Sequence, residues 1–250
     1  MSKIFDALRK AEQEPVEWIA PTAEPDLRQE APPHPRDLRI LETEFGRLSS
    51  AVQSSFTKFK DGRVVLVVGA VQREGGTFVA AQLGRALATD CGGPVLALDA
   101  DFHDPKLAKQ LNAKSGLGIT DVYENGGPPD LSEVIQRGDV ENLYLLTPGK
   151  RRISPVSFFD STQFDGLLTS VRRTFRFTIV DGPPLLTHPD ALHLAGRVDG
   201  VILVVRHSRL KREVLQKAVS MLESVRAPIL GAVLNRRKFA IPNLVYRFIS

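Results

Sequence analysis

The chain has 250 residues, 42% hydrophobic and 25% charged, proportions that exclude disorder over the whole length and a bundle of membrane helices. Apolar runs such as Val64 to Val68 and Val201 to Val205 fall far short of the roughly 18 residues that span a bilayer, and the N-terminus lacks a signal-peptide core, so a soluble, cytoplasmic protein is expected. Cys91, the only cysteine, excludes an internal disulfide, a cysteine zinc cluster and a cysteine-ligated iron–sulfur site within one chain, while the net charge of +4 is concentrated between Arg206 and Arg247, where only Glu213 and Glu223 oppose it.

In chain order, residues 1–14 place Ile4, Phe5, Leu8 and Ala11 on one helical stripe, which predicts a docking helix. Residues 15–36 contain Pro15, Pro21, Pro25, Pro32, Pro33 and Pro35, a composition that sustains neither a helix nor a central strand and predicts a linker. Leu38, Leu41, Phe45, Leu48, Val52, Phe56 and Phe59 then recur at helical spacing, interrupted only by Gly46. Strands are predicted at 64–68, 95–98, 143–146, 177–180, 201–205 and 229–234. Helices fall between them, around Val79 to Leu87, Phe164 to Arg173 and Val214 to Val225. Near-continuous apolar strands alternating with helices predict an α/β fold: a parallel sheet covered by helices on both faces, spanning residues 37–238. In the tail, 239–250, Pro242 can open a short helix with Leu244, Val245, Phe248 and Ile249 on one face. That face would dock on a membrane or membrane-protein partner, or pack back on the protein itself.

In an open parallel sheet the ligand crevice lies beyond the C-terminal strand ends, so the residues after each strand matter most. The first strand leads into Gly69-Ala70-Val71-Gln72-Arg73-Glu74-Gly75-Gly76-Thr77, which has the length and position of a phosphate loop. Such a loop wraps phosphates with backbone N–H groups, adds a Lys to the outer phosphates and holds Mg²⁺ through the following hydroxyl. Thr77 suits the metal position, but Gly76 stands where the Lys belongs. Asp99 and Asp101 follow the second strand, Asp181 closes the strand 177–180, and Mg²⁺ would relieve the repulsion among these carboxylates. Asn235, at the end of the last strand, could read an adenine edge or satisfy a turn.

Together these elements resemble the cytoplasmic tyrosine autokinases of bacterial capsule and exopolysaccharide export, relatives of the plasmid-partition and division-site ATPases. The resemblance covers about Leu41 to Asn235. It runs through the loop Ala70 to Thr77, the acidic segment Leu98 to Pro105, Gly116 to Val122, Leu146 to Gly149, the Walker B segment Ile179 to Pro184, Asp190-Ala191, Asp199 to Val201 and Leu230 to Asn235. The opening Met1 to Glu12 is similar to the leader of autokinases found beside exosortase-linked systems. The resemblance implies a P-loop NTPase-like fold, ATP and Mg²⁺ as cofactors, and Asp99, Asp101 and Asp181 as catalytic positions. Gly75, Gly76, Thr77 and Asn235 would face the nucleotide, and Thr77, Asp99 and Asp181 the metal.

The departures fall on catalysis. Gly76 replaces the phosphate-binding Lys, Phe78 the second hydroxyl residue, and His103 the usual Arg after the acidic segment; Gly46 and Ser49 stand where the oligomerisation helix of the family carries arginines. Tyr246 is the one tyrosine near the end and the one phosphorylation candidate there. The expectation is a degenerate, pseudokinase-like P-loop protein, recruited to the inner face of the cell membrane. There it would regulate polysaccharide assembly through a membrane co-polymerase or chain-length regulator, with a homo-oligomer allowed and no nucleic-acid partner. The alternatives are an active ATP-dependent protein tyrosine kinase, with Arg73 as the substitute cation, and a partition- or positioning-type ATPase.

Overall fold

The computed structural model describes residues 35–57, 61–122, 131–150, 153–207 and 211–235. The expected docking helix, most of the linker, Phe59 and the tail with Tyr246 lie outside the described residues. Backbone contacts divide the chain into two units, Met1–Pro35 and Arg36–Ser250, and the second carries the features that follow.

Helix α1 spans Pro35–Ser55 and buries Phe45, Val52 and Phe56. Those positions fall on one stripe at helical spacing, and Phe56 already sits in a turn, its N–H donating to the Gln53 carbonyl at 3.0 Å. After β1 (Arg63–Gly69) come α2 (Gly76–Asp90), β2 (Val95–Asp99), the short α3 (Leu107–Gln110) and α4 (Ile119–Val122), and a 3₁₀ turn at Leu131–Glu133. The chain continues through β3 (Gln136–Arg137), β4 (Leu143–Leu146), α5 (Pro155–Phe159), α6 (Thr162–Thr174), β5 (Phe177–Asp181) and α7 (Asp190–Ala195). It ends with β6 (Gly200–Arg206), α8 (Arg212–Ser224) and β7 (Ile229–Asn235). Ser161 caps α6, its hydroxyl accepting the Phe164 N–H at 3.2 Å.

The strands form one sheet in the order β3-β4-β2-β5-β1-β6-β7. All neighbours are parallel except β3, which pairs antiparallel with β4 at one edge. The predicted parallel sheet is therefore observed, with an antiparallel edge that two residues, Gln136 and Arg137, are too few to signal by alternation. Along β1, Val64, Leu66 and Val68 point to one face and Val65 and Val67 to the other, as the two-residue period of a strand dictates. The first face packs on Phe158, Phe159, Phe164, Leu167, Leu194 and Leu222, and the second on Phe45, Val52, Val79, Leu83 and Leu87. Burial of each such side chain stabilises the fold by about 1.5–3 kcal/mol, which is why the strands read as continuous apolar runs. Among the described residues no helix is long and apolar enough to cross a membrane.

The sheet topology positions the site. The parallel strands β1, β2, β5, β6 and β7 all end on the same edge, where β1 runs into the Gly-rich loop, β2 into Asp99 and β5 into Asp181.

Candidate functional site

The loop between β1 and α2 is built around Glu74 and Gly75. Glu74 is buried, and its Oε2 accepts the Val71 N–H at 3.0 Å, which closes the turn on itself. Gly75 precedes α2 with φ 91°, a left-handed conformation that glycine adopts without the Cβ clash other residues meet. A Cβ there would also collide with Asn235, whose amide donates to the Glu74 carbonyl at 2.8 Å. Asn235 thus holds the loop from the end of β7. Arg73 has φ 66° and is exposed, and among the described residues it makes no ion pair.

Gly76 and Thr77 open α2, where backbone N–H groups and the helix dipole favour an anion. A Cβ on Gly76 would lie 3.6 Å from the Gly69 nitrogen and 3.8 Å from Asp181 Oδ1, ordinary contact distances. The backbone has room for a side chain at Gly76.

Asp99 and Asp181 face each other across β2 and β5 as register partners, each 1% exposed. Asp99 accepts the Asp101 N–H at 3.2 Å and the Leu107 N–H at 2.9 Å. Burial pushes its carboxyl up to about 7; the two backbone donors oppose the rise and the Asp101 charge adds to it. Asp181 is raised well above the usual carboxylate range, first by burial and then by repulsion from Asp99, with the Thr77 hydroxyl opposing. Its Oδ2 has no hydrogen-bond partner among the described residues. Asp101 is half-buried and accepts the N–H groups of His103 and Asp104, both at 3.1 Å. Thr77, Asp99, Asp101 and Asp181 therefore converge at one sheet edge. Two buried carboxylates beside a hydroxyl, with one carboxylate oxygen unpartnered, form an all-oxygen donor set that fits Mg²⁺, and the helix N-terminus fits the phosphates it would accompany.

A neighbouring group was not anticipated from the sequence. His103 follows β2, and His188 and Asp190 follow β5, yet His103 Nε2 lies 3.0 Å from Asp190 Oδ2 and the two imidazoles stack with centroids 3.9 Å apart. Their juxtaposition joins loops far apart in sequence, and His188-Pro189-Asp190 alone is too short a pattern to mark a site. A cavity of about 440 Å³ lies elsewhere, at the opposite end of the strands, lined by Pro94, Ile135, Arg137, Tyr144, Thr174 and Phe175.

This sheet order, with a Gly-rich loop entering a helix and aspartates closing β2 and β5, defines a P-loop NTPase-like fold, the fold of MinD and ParA ATPases. Its homologues are bacterial tyrosine-protein kinases. Tyrosine-protein kinase CpsD of Streptococcus agalactiae serotype III (strain NEM316) is 26% identical over 202 residues, 80% of this chain and 84% of the relative. The VpsO kinase domain superposes with a TM-score of 0.70 at 25% identity, over 82% of this chain and all of that one. The septum site-determining protein MinD complexed with Mg-ADP, from Pyrococcus horikoshii OT3, shares the fold with a TM-score of 0.58 at 22% identity, over 75% of this chain and 77% of that chain. No family model matches the chain.

Proposed function

We propose that the chain is a degenerate tyrosine-autokinase-like protein that regulates capsule or exopolysaccharide polymerisation and export through a membrane co-polymerase or chain-length regulator. The observation that carries the reading is Gly76: the loop, the helix N-terminus and the buried Asp99–Asp181 pair keep the architecture of a nucleotide site, while the position of the phosphate-binding cation holds a hydrogen atom. Backbone N–H groups of residues 70–77 would receive the phosphates of ATP, and Thr77, Asp99 and Asp181 would hold Mg²⁺, which supplies charge neutralisation when bound. Loss of a charge-assisted hydrogen bond weakens binding by about 10- to 200-fold. Loss of a cation at the transferring group costs on the order of 10³ to 10⁵ in rate, so transfer suffers far more than binding. The homology to named tyrosine-protein kinases supports the pathway, and recruitment to the inner face of the membrane follows from the partner.

The test is ATP affinity and phosphotyrosine formation measured on the purified chain, with and without Mg²⁺. Weak, Mg²⁺-dependent binding without phosphotyrosine is the expected result. Several phosphotyrosines after incubation with ATP would establish an active kinase instead. That second reading is favoured by the exposed Arg73, which has no ion pair among the described residues and lies within the loop itself.

A further inference from the structure

We propose that His103, His188 and Asp190 form a binding site for a borderline transition-metal ion, Zn²⁺ above all, at the rim of the crevice. The ligand atoms of the three side chains lie within 4.8 Å of one another. Asp190 is 2% exposed, and its buried carboxylate is turned to His103 Nε2 at 3.0 Å. The backbone fixes both sides of the site. The His103 N–H donates to Asp101 Oδ1 at 3.1 Å, and the His188 N–H donates to the Pro184 carbonyl at 3.1 Å, which anchors the backbone on each side. The imidazoles stack 19° from parallel, so binding one ion through both requires the His188 ring to turn out of the stack.

The donor set decides the metal. Two imidazole nitrogens and one carboxylate oxygen suit Zn²⁺ and its neighbours, whereas Mg²⁺ takes oxygen and keeps its waters. The site is therefore chemically distinct from the all-oxygen group at Thr77, Asp99 and Asp181, and it stands whether or not the chain binds ATP. Three protein ligands leave a coordination position open, and the half-exposed His103 gives access from solvent. An anionic oxygen ligand, such as a phosphate or carboxylate, would complete the shell. His193 offers an internal comparison: its Nδ1 meets Asp160 Oδ2 at 2.7 Å, but with a single imidazole.

The experiment is titration of the chelator-stripped full chain with Zn²⁺ by calorimetry, and with Co²⁺ by visible absorption. One ion per chain is expected, retained in millimolar Mg²⁺, with affinity lowered at least about 10-fold by His103→Asn or His188→Asn and unchanged in His193→Asn. Absence of saturable binding overturns the proposal, and so does undiminished binding by the His103→Asn/His188→Asn double variant. X-ray absorption on the Zn²⁺-loaded wild type needs no variant to fold: two imidazole ligands support the site, and fewer than two refute it.

Discussion

Asp99 and Asp181 end adjacent strands in register, and the Ala100 N–H donates to the Asp181 carbonyl at 2.8 Å, so two buried carboxyl groups are held side by side at the mouth of the loop. Gly76 places no side chain between Gly69 and Asp181, and the Thr77 hydroxyl is the loop group that opposes the charge of Asp181. Burial first, and then repulsion among the carboxylates, raises both carboxyls, and the pair retains a proton where ordinary aspartates are ionised.

That raised titration makes stability depend on pH. The folded chain holds a proton that the unfolded chain releases above about pH 4, so the stabilisation is complete below that pH and is lost as pH rises toward about 7, the value of Asp99. Asp181→Asn removes the repulsion. Its thermal stability should fall less between pH 5 and 8 than that of the wild type, a difference of about 1–4 kcal/mol. Millimolar Mg²⁺ at pH 8 should raise the wild-type Tm and leave the variant unmoved. Superimposable pH profiles would show that the pair carries no such penalty.

Under the proposed function, Gly76→Lys should raise nucleotide affinity. Its Cβ meets nothing closer than 3.6 Å, and its ammonium would enter a loop next to two buried carboxyls. The expected gain is about 10- to 200-fold in ATP affinity, together with a higher Tm at pH 8, read by calorimetry and thermal unfolding. A variant that folds and binds no better than wild type would mean that a cation at this position does not limit binding.

Arg73 separates two effects in one substitution. Its φ of 66° is costly for any residue with a Cβ, so Arg73→Gly should stabilise the fold by about 0.5–1 kcal/mol. If Arg73 replaces the missing cation, the same variant loses about 10-fold or more in residual ATP affinity. Higher stability with unchanged affinity would assign Arg73 to solvent alone.

The legible parts of this fold were those set by local patterning. Val64 to Val68 and Val201 to Val205 announce buried strands by composition, and Asp99 and Asp181 are placed at the crevice because each closes such a strand. Parallel topology then makes every strand end share an edge, so convergence of Thr77 with the aspartates follows from the chain direction. The histidine cluster was hidden because it depends on two loops folding toward each other, and loops have no period to read. From the sequence, Asn235 suits a base contact or a turn equally. Its hydrogen bond to Glu74 is set by the β6–β7 register, which a single strand does not reveal.

The opposite edge of the sheet offers a test of stability that leaves the site alone. Asp199, just before β6, accepts the Val64 N–H at 2.8 Å and Arg172 Nε at 3.1 Å on one oxygen, and pairs with Arg63 at 3.5 Å on the other. These side chains are mostly buried, and Val64 is fully so. Asp199→Ala strands a buried backbone N–H at the start of β1 and removes one partner from each of two arginines. A loss of about 2–4 kcal/mol is expected, read as a lower urea midpoint at unchanged m-value. Asp199→Asn keeps an acceptor for Val64 while removing the charge, and should recover about half of that loss. Because β1 carries its ligand loop at the other end, Zn²⁺ and ATP affinities should be unaltered in both variants wherever the chain remains folded. A fall in either affinity without a fall in stability would show that the two edges are coupled through β1.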